Sequence, residues 1–213
     1  AIRQVNKGFF KYNVKLNLNK LRNTLRTTLI DMWEYVIPIW KISGLFKSIK
    51  SKKDLENFIQ ERSAHVSQTT LYGYLKTRIG VKYIAMMEDE VFLKSINIAK
   101  WNIYVVALAD CAFYVFSYLV SEKNLKDNDC KEIFLNILEN EKKNGLSDEI
   151  FDRGKKNFLQ RIDNVNFSNY HLNDPFKESG QALYYWSPIA DELKSLDKKI
   201  VLNSIHLKWG LMK

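Results

Sequence analysis

Residues 83–121 read YIAMMEDEVFLKSINIAKWNIYVVALADCAFYVFSYLVS, a run with neither glycine nor proline. Without those two breakers, nothing in the backbone chemistry interrupts a helix. Phe92, Ile96, Ala99, Ile103 and Val106 mark one helical face, and Val91, Ile98, Val105, Ala109 and Ala112 mark another. A helix apolar on two faces is buried, in a protein core or in a membrane. The stretch 101–120 has spanning length, and only Asn102, Asp110 and Ser117 in it are polar. On an insertion scale, its strong apolar residues at about −0.5 kcal/mol each roughly offset a central Asp at about +3 kcal/mol plus the other polar groups. Lys100 before it and Glu122-Lys123 after it carry no orientation signal. The three polar residues, 8 and 7 apart, cluster on one side, as in a core helix with a polar seam. That spacing favours a soluble core helix over a span.

The sequence around this run is punctuated as helices too. Ser51 and Asp54 have capping-box spacing and open a segment in which Leu55, Phe58 and Ile59 fall at helical intervals. Gly80 can end it, after Tyr74, Leu75 and Ile79. Glu88-Asp89-Glu90 reads as an acidic first turn. Asp127 or Asp129 can cap a helix with Ile133, Phe134, Ile137 and Leu138, which Gly145 terminates, and Ser147 caps the next, bearing Ile150, Phe151, Phe158, Leu159 and Ile162. An Asn-rich loop covers 163–173. Asp174-Pro175 and Ser187-Pro188 each set a cap residue ahead of a proline at a first helical position. The last helix carries Ile189, Leu193, Leu196 and Ile200 as its apolar stripe. Three prolines and eight glycines are too few for a barrel or sandwich of short strands. The expected fold is all-α, a bundle of about six helices in a single domain, 54–213, with a basic N-terminal arm, 1–53.

Charge divides the chain at the same place. Residues 1–53 hold twelve Lys/Arg against two acids, Asp31 and Glu34, whereas 54–213 hold 21 basic and 22 acidic residues. A nearly neutral body with a cationic arm is built to meet something anionic. Within the arm, Phe10 to Leu18 alternate apolar and polar as a half-buried strand does. A competing period of 4, 4, 3, 4, 4, 3 and 4 runs through Phe10, Val14, Leu18, Leu21, Leu25, Leu29, Met32 and Val36, close to a straight helix. The reading is an extended lead-in before residue 20 and a helix over 20–37. Lys11, Lys15, Lys20, Arg22 and Arg26 supply the charge, and Leu21, Leu25, Leu29, Trp33 and Trp40 the apolar contact. Basic residues beside Trp, Leu and Phe have the composition of an interfacial membrane segment.

Three functions fit this organisation. The leading one is a non-catalytic accessory subunit, docked through the arm onto protein subunits of a larger, membrane-associated assembly, with anionic lipid as a further partner. Such an arm could also track RNA, by phosphate contacts and base stacking, but its Leu, Ile and Trp content exceeds that need. A hydrolase is the third. No G-x-S-x-G elbow, phosphate-binding glycine loop, C-x-x-C pair or H-E-x-x-H is present, and no cofactor or metal is expected. Glu61 and His65, four apart, could share a metal but more simply form a hydrogen-bonded or exposed pair. His171 to Asp174 with Ser168 offers triad residue types without an oxyanion-hole signature. Two cysteines, Cys111 and Cys130, imply a reducing compartment. The start lacks a secretory pattern.

LYGYLKTRIG at 71–80, SINIAKW at 95–101 and YYWSPIADELKSLDKKIVLNSIHLKW at 184–209 carry a resemblance. Over roughly 55–212 the chain resembles a family of small alphaproteobacterial helical proteins often labelled "esterase". The resemblance implies a mitochondrial setting, on the matrix side of the inner membrane, or a bacterial cytoplasmic one. These strings are not active-site motifs, so no catalytic residue follows from them.

Overall fold

The computed structural model of the chain describes residues 49–123 and 129–210. They belong to one unit, beginning at Ile49. Its helices are α1 (Lys52–Ile79), a single-turn α2 (Tyr83–Met86), α3 (Glu90–Lys123), α4 (Asp129–Lys142), α5 (Asp148–Ile162), α6 (Lys177–Trp186) and α7 (Asp191–Gly210). Short 3-10 turns lie at Gly80–Lys82 and Tyr170–Leu172. Six helices of ten residues or more, with no strand among the described residues, make the all-α bundle that the punctuation implies.

Each boundary has a local cause. Ser51 opens α1 with a complete capping box: its Oγ accepts the Asp54 N–H while Asp54 accepts the Ser51 N–H. Gly80 closes α1 at φ 59°, a left-handed value at which a side chain would strain. Ser147 caps α5 by accepting the Ile150 N–H. The long glycine-free run is not one helix, however. Asp89 accepts the Phe92 N–H at 2.8 Å and so starts α3 afresh after α2.

Neither proline opens its helix. Asp174 adopts a left-handed φ of 51°, incompatible with the extended N-cap conformation, and its carboxylate faces His206 at 3.3 Å. Ser187 donates to the Leu183 carbonyl and so closes α6 instead of opening α7. Helix α6 begins at Lys177 and α7 at Asp191, each past its proline.

α3 is the axis of the bundle. α1, α4, α5 and α6 and the second 3-10 turn all pack on it. Ile103, Ala107, Leu108, Ala112 and Phe113 are fully buried, and 72% of its most apolar window lies inside the protein. At about 1.5–3 kcal/mol per buried large side chain, this helix supplies much of the hydrophobic stabilisation. Phe134 stacks on Phe158 at 3.8 Å, and Phe158 on Phe113 at 4.9 Å, which ties α3, α4 and α5 together. Val91 and Ile98, read as part of its second apolar face, are instead exposed, because in these N-terminal turns only the face of Phe92, Ile96 and Ala99 is covered.

A larger correction concerns α7. Of its expected stripe, Ile189 packs against the core, but Leu193, Leu196 and Ile200 are exposed. Asp197, Val201, Ile205 and Trp209 face inward instead. The inner side of α7 has partners on other helices and loops: Arg78 of α1 forms a two-pronged ion pair with Asp197, which Tyr74 joins at 3.0 Å, and Trp209 stacks on Phe176 at 4.2 Å.

Candidate partner-docking surfaces

The seam on α3 is real, and every member of it has an internal partner. The Asn102 amide oxygen accepts from Arg153, and its Nδ2 donates to the Ile98 carbonyl. Asp110 accepts from Arg161 Nη2 at 2.6 Å, from the Ser179 N–H at 2.7 Å and from Ser179 Oγ at 2.5 Å. Burial pushes the Asp110 carboxyl up from its usual range, while Arg161 and Ser179 pull the other way. Arg161 also lies over the Phe113 ring and reaches the Tyr170 hydroxyl, which donates to the Pro175 carbonyl. The cluster therefore ties α3, α5 and α6 to the loop between the last two.

His171 meets a serine, though not Ser168. Its Nδ1 is 2.8 Å from Ser117 Oγ, and its backbone N–H donates to the same oxygen at 3.0 Å. Ser117 is wholly buried, and the carboxylate of Asp174 goes to His206. The contact has nucleophile and base residue types, but among the described residues no carboxylate bonds to the ring. It fixes the Tyr170–Leu172 turn to α3. Around Glu141, Tyr104, Gln60 and Asn144 converge at 2.6–2.8 Å, another closed set. His65 is half-buried, and that burial lowers its pKa. No group of three or more potential metal ligands occurs among the described residues.

The surface is more informative. A groove of about 770 Å³ is walled by Ile49, Leu55 and Phe58, by Tyr114, Val115, Phe116, Tyr118 and Leu119, and by Ile133. Apolar walls with a few polar groups, in a volume of about 300–1,000 Å³, are the usual attributes of a binding cavity. Lys50, Ser51, Lys52 and Asp129 complete its lining. Lys52 bridges to Glu132 at 2.6 Å and Asp129 at 3.3 Å, which raises the pKa of its ammonium and pins the start of α1 to the start of α4.

At the opposite end of α1, large apolar residues lie open to solvent. Val81 is 99% exposed, and Ile84, Met86, Val91 and Leu93 follow it around the α1–α3 connection. The Arg78–Asp197 pair brings the start of α7, with Leu193 and Leu196, to the same end. Tyr185 joins them, its carbonyl accepting from Lys194. Scattered exposed apolar residues are ordinary, whereas a collection of them at one end is the kind of surface that interaction sites present.

The arm residues singled out above, Lys11, Lys15, Lys20, Leu21, Arg22, Leu25, Arg26, Leu29, Trp33 and Trp40, lie outside the described residues, as do both periodicities read there. The apolar end escaped the sequence reading because its residues share the helical spacing of core residues. Only the polar contacts that rotate each helix tell the two apart. Comparison with protein-family models, with curated proteins and with solved structures finds no match to this chain.

Proposed function

We propose that this protein is a non-catalytic helical accessory subunit. It docks through its basic amphipathic arm, 1–53, onto a larger membrane-associated assembly, mitochondrial or bacterial. The observation that carries this reading is the apolar end of the bundle, where Val81, Ile84 and Val91 are exposed, as are Leu193 and Leu196 at the start of α7. Such a face suits a protein partner. The arm, with its twelve basic residues against two acids, suits the anionic leaflet beside that partner, at about 1 kcal/mol per Lys or Arg near the surface. The polar interior supports the same view, since its hydrogen bonds are spent on holding helices together.

Flotation with phosphatidylserine-containing vesicles tests the membrane part. The full chain is expected to float at low salt, and a chain with Lys11, Lys15, Lys20, Arg22 and Arg26 changed to Ala to stay with the unbound fraction. Equal flotation of the two would defeat the proposal. Retention on single-stranded RNA, lost on the same substitutions, would move the arm's role to nucleic acid.

A further inference from the structure

One side of α1 changes character along its length. Ser51, Leu55, Phe58, Arg62 and His65 follow one another at 4, 3, 4 and 3 residues, so they share a side of the helix. Leu55 and Phe58 are walls of the groove, and Arg62 and His65 come next on the same side, both half-buried. The Arg62 guanidinium lies 5.2 Å from the centre of the Phe58 ring. Burial works against its charge, and Glu61, its exposed neighbour in the chain, is the acid it feels. Yet among the described residues Arg62, His65 and Lys208 enter no ion pair. Lys208 acts on His65 across the contact between α1 and α7: burial first, then the charges of Lys208 and Arg62, lower the pKa of that imidazole. His65 is therefore neutral at pH 7 and keeps one ring N–H to donate. Trp209, beside Lys208, stacks on Phe176 at 4.2 Å, and Phe176 packs against Tyr114 of the groove wall at 5.2 Å. The end of α7 and the groove thus share one aromatic row.

We propose that the groove and this basic end together bind a long-chain fatty acid, its chain along Leu55, Phe58, Leu119 and Ile133 and its carboxylate at Arg62, His65 and Lys208. An unpaired guanidinium is the donor best matched to a carboxylate, which it can hold by two parallel hydrogen bonds. The walls suit a hydrocarbon chain: apart from the hydroxyls of Tyr114 and Tyr118 they offer only carbon, so a peptide would leave its backbone groups unpaired there. Size fits one chain. At roughly 30 Å³ per carbon, about the share of one water in the liquid, sixteen carbons need about 480 Å³ and two such chains about 960 Å³. The groove measures about 770 Å³. At its other mouth the charge of Lys52 is taken up by Asp129 and Glu132, which leaves the Arg62 end as the place for an anion. The inference does not depend on what the arm meets.

Displacement of a dansyl-labelled undecanoic acid from the full chain by laurate, below its micelle concentration, is the test, with 1-dodecanol as the uncharged counterpart. Laurate is expected to displace the dye, and dodecanol to do so more weakly. Arg62→Gln should weaken laurate by about tenfold or more, the loss of a charge-assisted hydrogen bond, and leave dodecanol unchanged. Lys208→Gln should act in the same sense, and because Lys208 is exposed its variant reads the carboxylate site with the fold intact. Leu119→Trp, which fills the groove, should weaken both ligands. Thermal unfolding midpoints at the parent's value confirm that each variant is folded. Binding of neither dye nor laurate, or laurate affinity unmoved by Arg62→Gln and Lys208→Gln or by Leu119→Trp, would overturn the proposal. So would a loss of laurate that falls instead on Lys50→Gln, or on Lys11, Lys15, Lys20, Arg22 and Arg26 changed to Ala.

Discussion

The Asp110 carboxylate, fully buried on α3, is held by Arg161 and Ser179, which lie 51 and 69 residues further along the chain. Removing one partner of a buried ion pair leaves the other without compensation, at about 3–5 kcal/mol. Asp110→Ala should therefore lower the unfolding midpoint by on the order of 10 °C, at roughly 2–4 °C per kcal/mol for a chain of this size. Asp110→Asn, which keeps an acceptor for Ser179, should lose less; thermal unfolding followed by circular dichroism compares the two. Asp110 stood out in the sequence as one acid in an apolar run, and its spacing from Asn102 and Ser117 announced a seam. Its partners could not be read there, because nothing local links position 110 to 161 or 179.

Helices α3 and α5 approach each other closely where α5 has a glycine. A Cβ on Gly154 would run into Val105 Cγ1 and touch Leu138 Cδ2. In the middle of a helix glycine costs stability, so here its value is the room it leaves. Gly154→Ala should destabilise by about 1–3 kcal/mol through overpacking, despite the better helix propensity of alanine, and a urea midpoint measurement decides the sign. Helix existence was legible because Ser51, Gly80, Gly145 and Ser147 act through their nearest neighbours. Helix rotation was not. In α7 the spacing of Leu193, Leu196 and Ile200 is as regular as that of Val201, Ile205 and Trp209, and the inner face is selected by partners distant in the chain, Arg78 for Asp197 and Phe176 for Trp209. In the same way Ser187 looked like an opening cap, but its hydroxyl turns back to Leu183.

At the scale of the bundle, both cysteines are buried thiols, and burial pushes the Cys111 thiol up to about 12. A covered thiol is out of a reagent's reach, so reagent should modify Cys111 and Cys130 only as fast as the bundle opens. Two modification rates that coincide and track denaturant would mark one cooperative unit; fast labelling of either residue in the native protein would contradict it. The fold class was readable from composition and breakers alone, whereas the apolar end was not, because exposure is a property of the assembled helices.

The long-range reach of Asp110 also bears on how the protein is made. A growing chain exposes α3 before Arg161 and Ser179 exist, while the helix is long and apolar enough to cross a bilayer. In that interval the unpaired carboxylate is the main obstacle to insertion, worth about +3 kcal/mol at mid-helix. The same acid that holds the finished bundle together weighs against insertion of its unfinished half.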